Sequence, residues 1–178
     1  MLSKNIELAL NHQIRIEAES SQTYLSMASW AETHGLEGIS KFMYAQSDEE
    51  RVHMLKLVRY INERGGHAKV SELKAPKTSY ATFKEMFEEL YKHEIFVSDS
   101  INELVEISFS EKDYATHNFL QWYVAEQIEE EAQAKFILNK INLIGDDKGG
   151  LYLFDRDIQQ MTLSATAQDS KVKESFDQ

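Results

Sequence analysis

Cysteine is absent from this 178-residue chain, which has one proline and seven glycines. Without thiolates the chain cannot form disulfides, iron–sulfur clusters or thiolate zinc sites, so oxygen and nitrogen atoms must hold any bound metal. Basic residues are also few: 19 lysines and arginines stand against 30 acidic residues, for a net charge of −11. This charge disfavours nucleic-acid and membrane partners and attracts cations, although solubility alone is its simplest explanation.

Long apolar runs are missing as well. No run approaches membrane-spanning length, and no basic N-terminal stretch precedes an apolar segment. We therefore expect a cytoplasmic protein that does not enter a membrane. The length is typical of one domain with a sizeable core.

The scarcity of proline and glycine leaves long stretches free to form helix, and the glycines stand where helices should end. The residues from 164 onwards are polar and lack periodicity, so we expect a bundle domain over 1–163 and a mobile C-terminal tail over 164–178. The pattern predicts five helices, over about 3–33, 37–64, 82–109, 114–145 and 154–161.

Two matching sets of polar residues interrupt the apolar stripes of the four long helices. Within each stripe the apolar residues recur in alternating steps of three and four, which is typical of a bundle helix. An i, i+3 pair puts two side chains on one helix face, one turn apart, where both can reach one metal ion. The first triplet is Glu17, Glu50 and His53, and the second, 77 residues later with the same internal gaps of 33 and 36, is Glu94, Gln127 and Glu130.

The spacing places each triplet at one level of a helical hairpin. Residues equidistant from a turn face each other, and the midpoints of the first triplet fall at positions 33.5 and 35. Those of the second fall at 110.5 and 112, so both sets coincide with predicted turns. The fold class predicted is all-α: a four-helix bundle of two antiparallel hairpins with a long crossover and a short fifth helix.

Four carboxylates at one level of a bundle core need compensation. Unpaired buried charges cost several kcal/mol each, and like charges push one another towards protonation. Two divalent cations would balance Glu17, Glu50, Glu94 and Glu130, with His53 as a neutral nitrogen ligand. A single Glu-x-x-His is common on helices, but the matched triplets favour a dinuclear metal centre.

From about Leu2 to about Met161 the chain resembles the non-haem bacterial ferritins. This resemblance implies a ferritin-like fold. The resemblance implies an iron-oxidising dinuclear centre, with Glu50 between two irons. Tyr24 matches a tyrosine beside that centre, where it would serve as a hydrogen-bond partner of a ligand or as an electron donor. The implied ligands are Glu17, Glu50 and His53 for one iron and Glu50, Glu94 and Glu130 for the other, with Gln127 nearby, and a third iron site at Glu49, Glu126, Glu129 and Glu130.

Two departures separate the chain from the haem-binding bacterioferritins. Arg51 stands where those relatives have a haem-ligating methionine, and the segment from Gln127 to Glu130 replaces their second Glu-x-x-His. We therefore expect no haem. Rubrerythrin-like relatives need a cysteine-rich iron domain, which this chain lacks.

The leading hypothesis is iron storage and detoxification. Fe(II) would be oxidised by dioxygen or hydrogen peroxide and deposited as Fe(III) mineral. The resemblance also implies a homo-oligomeric shell of 24 subunits, with the fifth helix at its four-fold axes. One alternative is a di-iron or di-manganese oxidase acting on a small substrate, which would form a small oligomer without a mineral core. Another is a non-catalytic helical interaction module whose polar layer sets register.

Overall fold

Four long helices and one short helix form the architecture of residues 1–159, the part of the chain that the computed structural model describes. Within these residues there is no β-strand, and no helix is long and apolar enough to cross a bilayer. The helices are α1 (Lys4–Thr33), α2 (Glu37–Glu63), α3 (Phe83–Ser110), α4 (Tyr114–Ile144) and α5 over 148–159.

The predicted fold class is confirmed, and the four long helices end within one or two residues of the predicted bounds. The fifth helix begins at residue 148, six residues earlier than predicted. Its predicted end at Met161 and the predicted tail over 164–178 lie outside the described residues.

Side-chain caps explain where three of the helices begin. Ser3 accepts a hydrogen bond from the backbone N–H of Ile6 at the start of α1, and Asp113 caps α4 in the same way. Thr82 caps α3 by accepting from the N–H of Glu85. Such caps satisfy backbone donors that a first turn leaves unpaired.

The long helices pair as two hairpins. Helix α1 packs along α2 and α3 packs along α4, while α1 also contacts α3. The α1–α2 turn uses Gly35 at φ 74°, a left-handed conformation that glycine adopts without strain. Because both turns are short, the partners within each pair run antiparallel, and the crossover from α2 to α3 spans the length of the bundle.

Two apolar clusters fill the ends of the bundle. One contains Met27, Met43 and Phe87, and the other contains Leu10, Leu57 and further aliphatic side chains. Between them lies a layer of buried polar side chains contributed by all four long helices. The fold therefore places its buried carboxylates and its buried imidazole in the middle of the core, away from both ends.

Helix α5 docks against the start of α2. The N-cap residue of α2, Leu36, offers no side-chain acceptor, and the carboxylate of Asp155 accepts from the N–H groups of Gly38 and Ile39 instead, at 3.2 and 2.9 Å. A Cβ atom at position 38 would lie 1.6 Å from the carbonyl oxygen of Asp155, so this contact requires glycine. Buried Ile158 completes the attachment of α5 to the adjoining apolar cluster.

Candidate metal centre

The buried polar layer contains both predicted triplets. Each long helix contributes to it, because the hairpin spacing brings the interrupted stripes to one level. All six side chains are at least 94% buried. They are Glu17 on α1, Glu50 and His53 on α2, Glu94 on α3, and Gln127 and Glu130 on α4.

The first triplet, called the first half-site below, is compact. One ligand atom from each of Glu17, Glu50 and His53 lies within 4.8 Å of the others. The Nδ1 atom of His53 is 3.4 Å from Oε2 of Glu50. This spacing suits three ligands that converge on one ion.

Glu50 carries the clearest sign that a cation belongs here. Its Oε2 atom is fully buried and has no hydrogen-bond partner among the described residues. A buried acceptor without a partner costs about 1–3 kcal/mol, and more when it is charged. A metal ion would satisfy this oxygen, so the residues present fit an oxygen- and nitrogen-ligated cation.

Burial and mutual repulsion raise the pKa values of the four carboxyls. Burial is the largest cause for each, and the other carboxylates of the layer add to it. The pKa of Glu94 rises to about 6, and those of Glu17, Glu50 and Glu130 rise well above the ordinary value. Without metal the layer therefore retains protons, which arriving cations would displace.

The second triplet, the second half-site, is held differently. The carboxylate of Glu94 accepts hydrogen bonds from the phenol of Tyr24 and from Nε2 of Gln127, the latter at 3.3 Å. Among the described residues, Glu94 and Glu130 form no compact three-ligand group like that of the first half-site. Burial and the nearby Glu94 charge raise the pKa of Tyr24, so its phenol stays protonated and donates.

The residues expected to form a third site are divided between two places. Glu49 and Glu126 are half-buried, and their ligand atoms gather with those of His53 within 4.8 Å. Glu129 is exposed and lies outside this group, whereas Glu130 is buried in the second half-site. His53 therefore belongs to both compact groups.

The geometry thus shows an acidic four-helix layer with an imidazole, and comparison with known proteins identifies the family. The model of the ferritin-like domain family matches residues 7–144. The chain belongs to the ferritin family.

Individual ferritins resemble the chain over nearly its whole length. It is 45% identical to a probable bacterial non-heme ferritin-like protein of Haemophilus influenzae, over 93% of this chain and 100% of that protein. It is also 45% identical to a bacterial non-heme ferritin of Campylobacter jejuni, over 92% and 98%. An open pore ferritin from Archaeoglobus fulgidus superposes with a TM-score of 0.88 at 44% identity, covering 89% of this chain and 98% of that one. The resemblance inferred from the motifs is confirmed.

Several residues that contact the candidate site were not assigned to it from the sequence. The Tyr123 hydroxyl donates to the backbone carbonyl of His53 at 2.8 Å, and the Trp122 ring lies edge-on to the His53 ring at 5.1 Å. His93 packs edge-on against Tyr24 at 5.9 Å, with its Nε2 atom 2.7 Å from the hydroxyl of Ser20. These partners lie on other helices, so spacing along one helix does not reveal them.

Gln13 is the exception, because sequence spacing does point to it. It lies four residues before Glu17 on the same buried face, and its Nε2 donates to Glu17 Oε1 at 2.9 Å. A polar residue in the apolar stripe, one turn from a candidate ligand, is a signal that could have identified it.

Proposed function

We propose that this ferritin oxidises iron for storage at a dinuclear centre formed by the polar layer. Glu50 would lie between the two metal positions, with Glu17 and His53 on one side. The unpartnered, buried oxygen of Glu50 is the observation that supports this most directly. The second position would use Glu94 and Glu130, with Gln127 beside them.

Fe(II) is the substrate, and dioxygen or hydrogen peroxide is the oxidant. Two Fe(II) ions supply two electrons, which together with two protons reduce one dioxygen to hydrogen peroxide. Carboxylates suit this reaction, since hard oxygen ligands stabilise Fe(III) and can shift between bridging and terminal binding. The raised carboxyl pKa values mean that iron binding releases protons into the site.

Tyr24 would hold Glu94 in place through their hydrogen bond, or would donate an electron during oxidation. A third iron position is proposed at Glu49, Glu126, Glu129 and Glu130. The gathering of Glu49 and Glu126 beside His53 supports part of this set.

The oxidised iron would enter a mineral inside a shell of 24 identical subunits, with α5 at the four-fold axes. The structural match to ferritins along the whole bundle supports an oligomeric shell. The proposed organisation is one bundle domain over 1–163 and a separate tail over 164–178. No haem is proposed, and a cytoplasmic location stays a prediction from composition.

The test is aerobic addition of Fe(II) to the assembled protein. Rapid oxidation is expected in the wild type and should be lost in Glu50→Ala and in Glu94→Ala. Glu103→Ala removes an exposed carboxylate from the same helix as Glu94 and serves as the matched control, with unchanged oxidation. Unchanged oxidation in both site variants would rule out the assigned centre. Gel filtration after iron loading distinguishes a 24-subunit shell with a mineral core from a small oligomer that oxidises another substrate.

A further inference from the structure

Gln13 is a buried amide that touches the first half-site without being one of its proposed ligands. Its side chain is only 1% exposed. Nε2 donates to Oε1 of Glu17 at 2.9 Å, and Oε1 accepts from the hydroxyl of Ser100 on α3 at 2.7 Å. A hydrogen-bond chain therefore runs from half-buried Ser100 through Gln13 to a carboxylate of the proposed centre.

The Ser100 hydroxyl stabilises one orientation of the Gln13 amide. Because Ser100 donates to the amide oxygen, the NH₂ group of Gln13 points at the carboxylate. The reverse orientation would set an amide oxygen against a carboxylate oxygen, which is compatible only with a protonated Glu17. The observed arrangement thus gives Glu17 Oε1 an N–H donor, which fixes the direction of the carboxylate.

The second half-site has no amide at the position that corresponds to Gln13. The position 77 residues after Gln13 is Leu90, an apolar side chain that is 3% exposed. Glu94 is instead held by Tyr24 and Gln127, from α1 and α4. The amide therefore serves one half-site selectively.

We propose that Gln13, oriented by Ser100, is a positioning residue that aims Glu17 at the metal. The first half-site then binds Fe(II) more tightly than the same ligands would without the amide. This inference rests on the proposed dinuclear centre and adds to it a residue that contacts no metal. Ser100 also links α3 to α1 beside the site, so the orientation of Glu17 depends on the docking of the two hairpins.

Gln13→Met is the main test, because methionine keeps the length and flexibility of glutamine but cannot donate a hydrogen bond. Zn(II), which is redox-inert, is titrated calorimetrically into the assembled protein. We expect Zn(II) binding to be about tenfold weaker at the first half-site and unchanged at the second. Tenfold is about the lower end of the range for removing a hydrogen-bond partner of a metal ligand. The apparent KM for Fe(II) should rise about tenfold, with kcat at saturating iron changed by less than about twofold.

Two serine variants sharpen the test. Ser100→Ala should weaken Zn(II) binding at the first half-site by about threefold, because the amide loses its orienting donor but keeps its own N–H groups. The double variant Gln13→Met/Ser100→Ala should be no weaker than Gln13→Met, since Ser100 acts only through Gln13. Ser108→Ala is the matched control on α3: this buried hydroxyl donates to the carbonyl of Val105 in its own helix, and its loss should leave Zn(II) binding unchanged.

His53→Ala identifies which binding step belongs to the first half-site, since it removes that step. Unchanged affinity at this step in Gln13→Met overturns the proposal, and so does an equal loss at both half-sites, which would indicate a general structural effect. If Gln13→Met does not fold, Ser100→Ala decides alone, and unchanged affinity there overturns the proposal. Failure of the dinuclear centre itself is distinguishable, because the wild type would then show neither two Zn(II) steps nor rapid Fe(II) oxidation.

Discussion

The two half-sites arise from matching positions of a 77-residue repeat, yet the chain equips them differently. The first half-site has an imidazole and three ligand atoms within 4.8 Å of one another, with Gln13 bonded to Glu17. The second has only carboxylates and an amide, and its Glu94 is bonded to Tyr24 and Gln127.

If the proposed centre is correct, this difference predicts that the two half-sites have different roles. A nitrogen ligand in a compact group favours tight binding of a borderline cation such as Fe(II). The oxygen-only half-site would then bind iron less tightly, which suits iron that must leave for the mineral after oxidation. We therefore expect two affinities for divalent cations, with the tighter one on the His53 side; equal affinities would contradict this asymmetry.

Removing Glu50, the residue proposed to lie between the two metal positions, should have the largest effect. Glu50→Gln keeps the shape of the side chain but removes the negative charge between the two metal positions. Mutating a residue that hydrogen-bonds to a metal ligand typically lowers metal affinity or activity by about 10–100-fold. Mutating a direct ligand should therefore lower the initial rate of aerobic Fe(II) oxidation by on the order of 100-fold or more. Stopped-flow absorbance measures this rate, with Glu103→Gln as the exposed control. A rate within about threefold of wild type would show that the two half-sites do not share Glu50.

Copying the first half-site into the second should remove the difference. The double variant Gln127→Glu/Glu130→His reproduces the Glu-x-x-His pattern on α4 and keeps four carboxylates in the layer. We expect Zn(II) binding at the second half-site to tighten about tenfold, or about 1.4 kcal/mol, so that the two calorimetric steps merge. The single variant Gln127→Glu is the control, because it adds a carboxylate but no imidazole. Two steps that stay separate in the double variant would show that residues other than the ligands set the asymmetry.

Tyr24→Phe should affect the second half-site alone. The variant removes the hydrogen bond to Glu94 with little change in packing. Hydrogen bonds to charged groups contribute about 1.5–3 kcal/mol, so Zn(II) binding there should weaken by at least about tenfold. Calorimetry should show the first step unchanged, whereas an equal loss in both steps would contradict separate positioning of the two half-sites.

The metal-free protein should become less stable as the pH rises. Folding raises the pKa of Glu94 from its unfolded value of 4.5 to about 6. The free-energy cost of ionising Glu94 in the folded protein is therefore absent below the unfolded pKa, grows between the two pKa values, and is complete above the folded pKa. For this carboxyl the cost is on the order of 2 kcal/mol. The other three raised carboxyls extend the loss to higher pH.

Thermal unfolding of chelator-treated protein between pH 5 and pH 8 measures this effect, and saturating Zn(II) should reverse the trend by neutralising the layer. For a chain of this size 1 kcal/mol corresponds to about 2–4 °C in Tm. A metal-free Tm that rises with pH would contradict the assigned pKa directions. In Glu94→Gln the part of the slope between pH 4.5 and 6 should be reduced.

Much of the fold could be predicted because it depends on local chemistry. Gly35, Thr82 and Asp113 mark helix ends through their own backbone preferences and caps, and the stripes show which faces are buried. The start of α5 was misplaced by six residues because Gly149 and Gly150 were interpreted as a break before the helix, whereas Asp147 caps the helix by accepting from their N–H groups. The docking of α5, by contrast, depends on a contact between Asp155 and Gly38, which are 117 residues apart. No periodicity within a single helix reports such a contact.

For the candidate site, the sequence by itself determined which residues share a level and why that level needs cations. Helical period and turn position are properties of consecutive residues, and the charge of Glu17, Glu50, Glu94 and Glu130 can be counted without a structure. Only the tertiary structure decided that Ser100 orients Gln13, that Tyr24 bonds to Glu94 and that His53 also gathers with Glu49 and Glu126. The reason is physical: these contacts cross between helices, so they depend on how each helix is rotated and offset against its neighbours, and close packing of the whole core sets both.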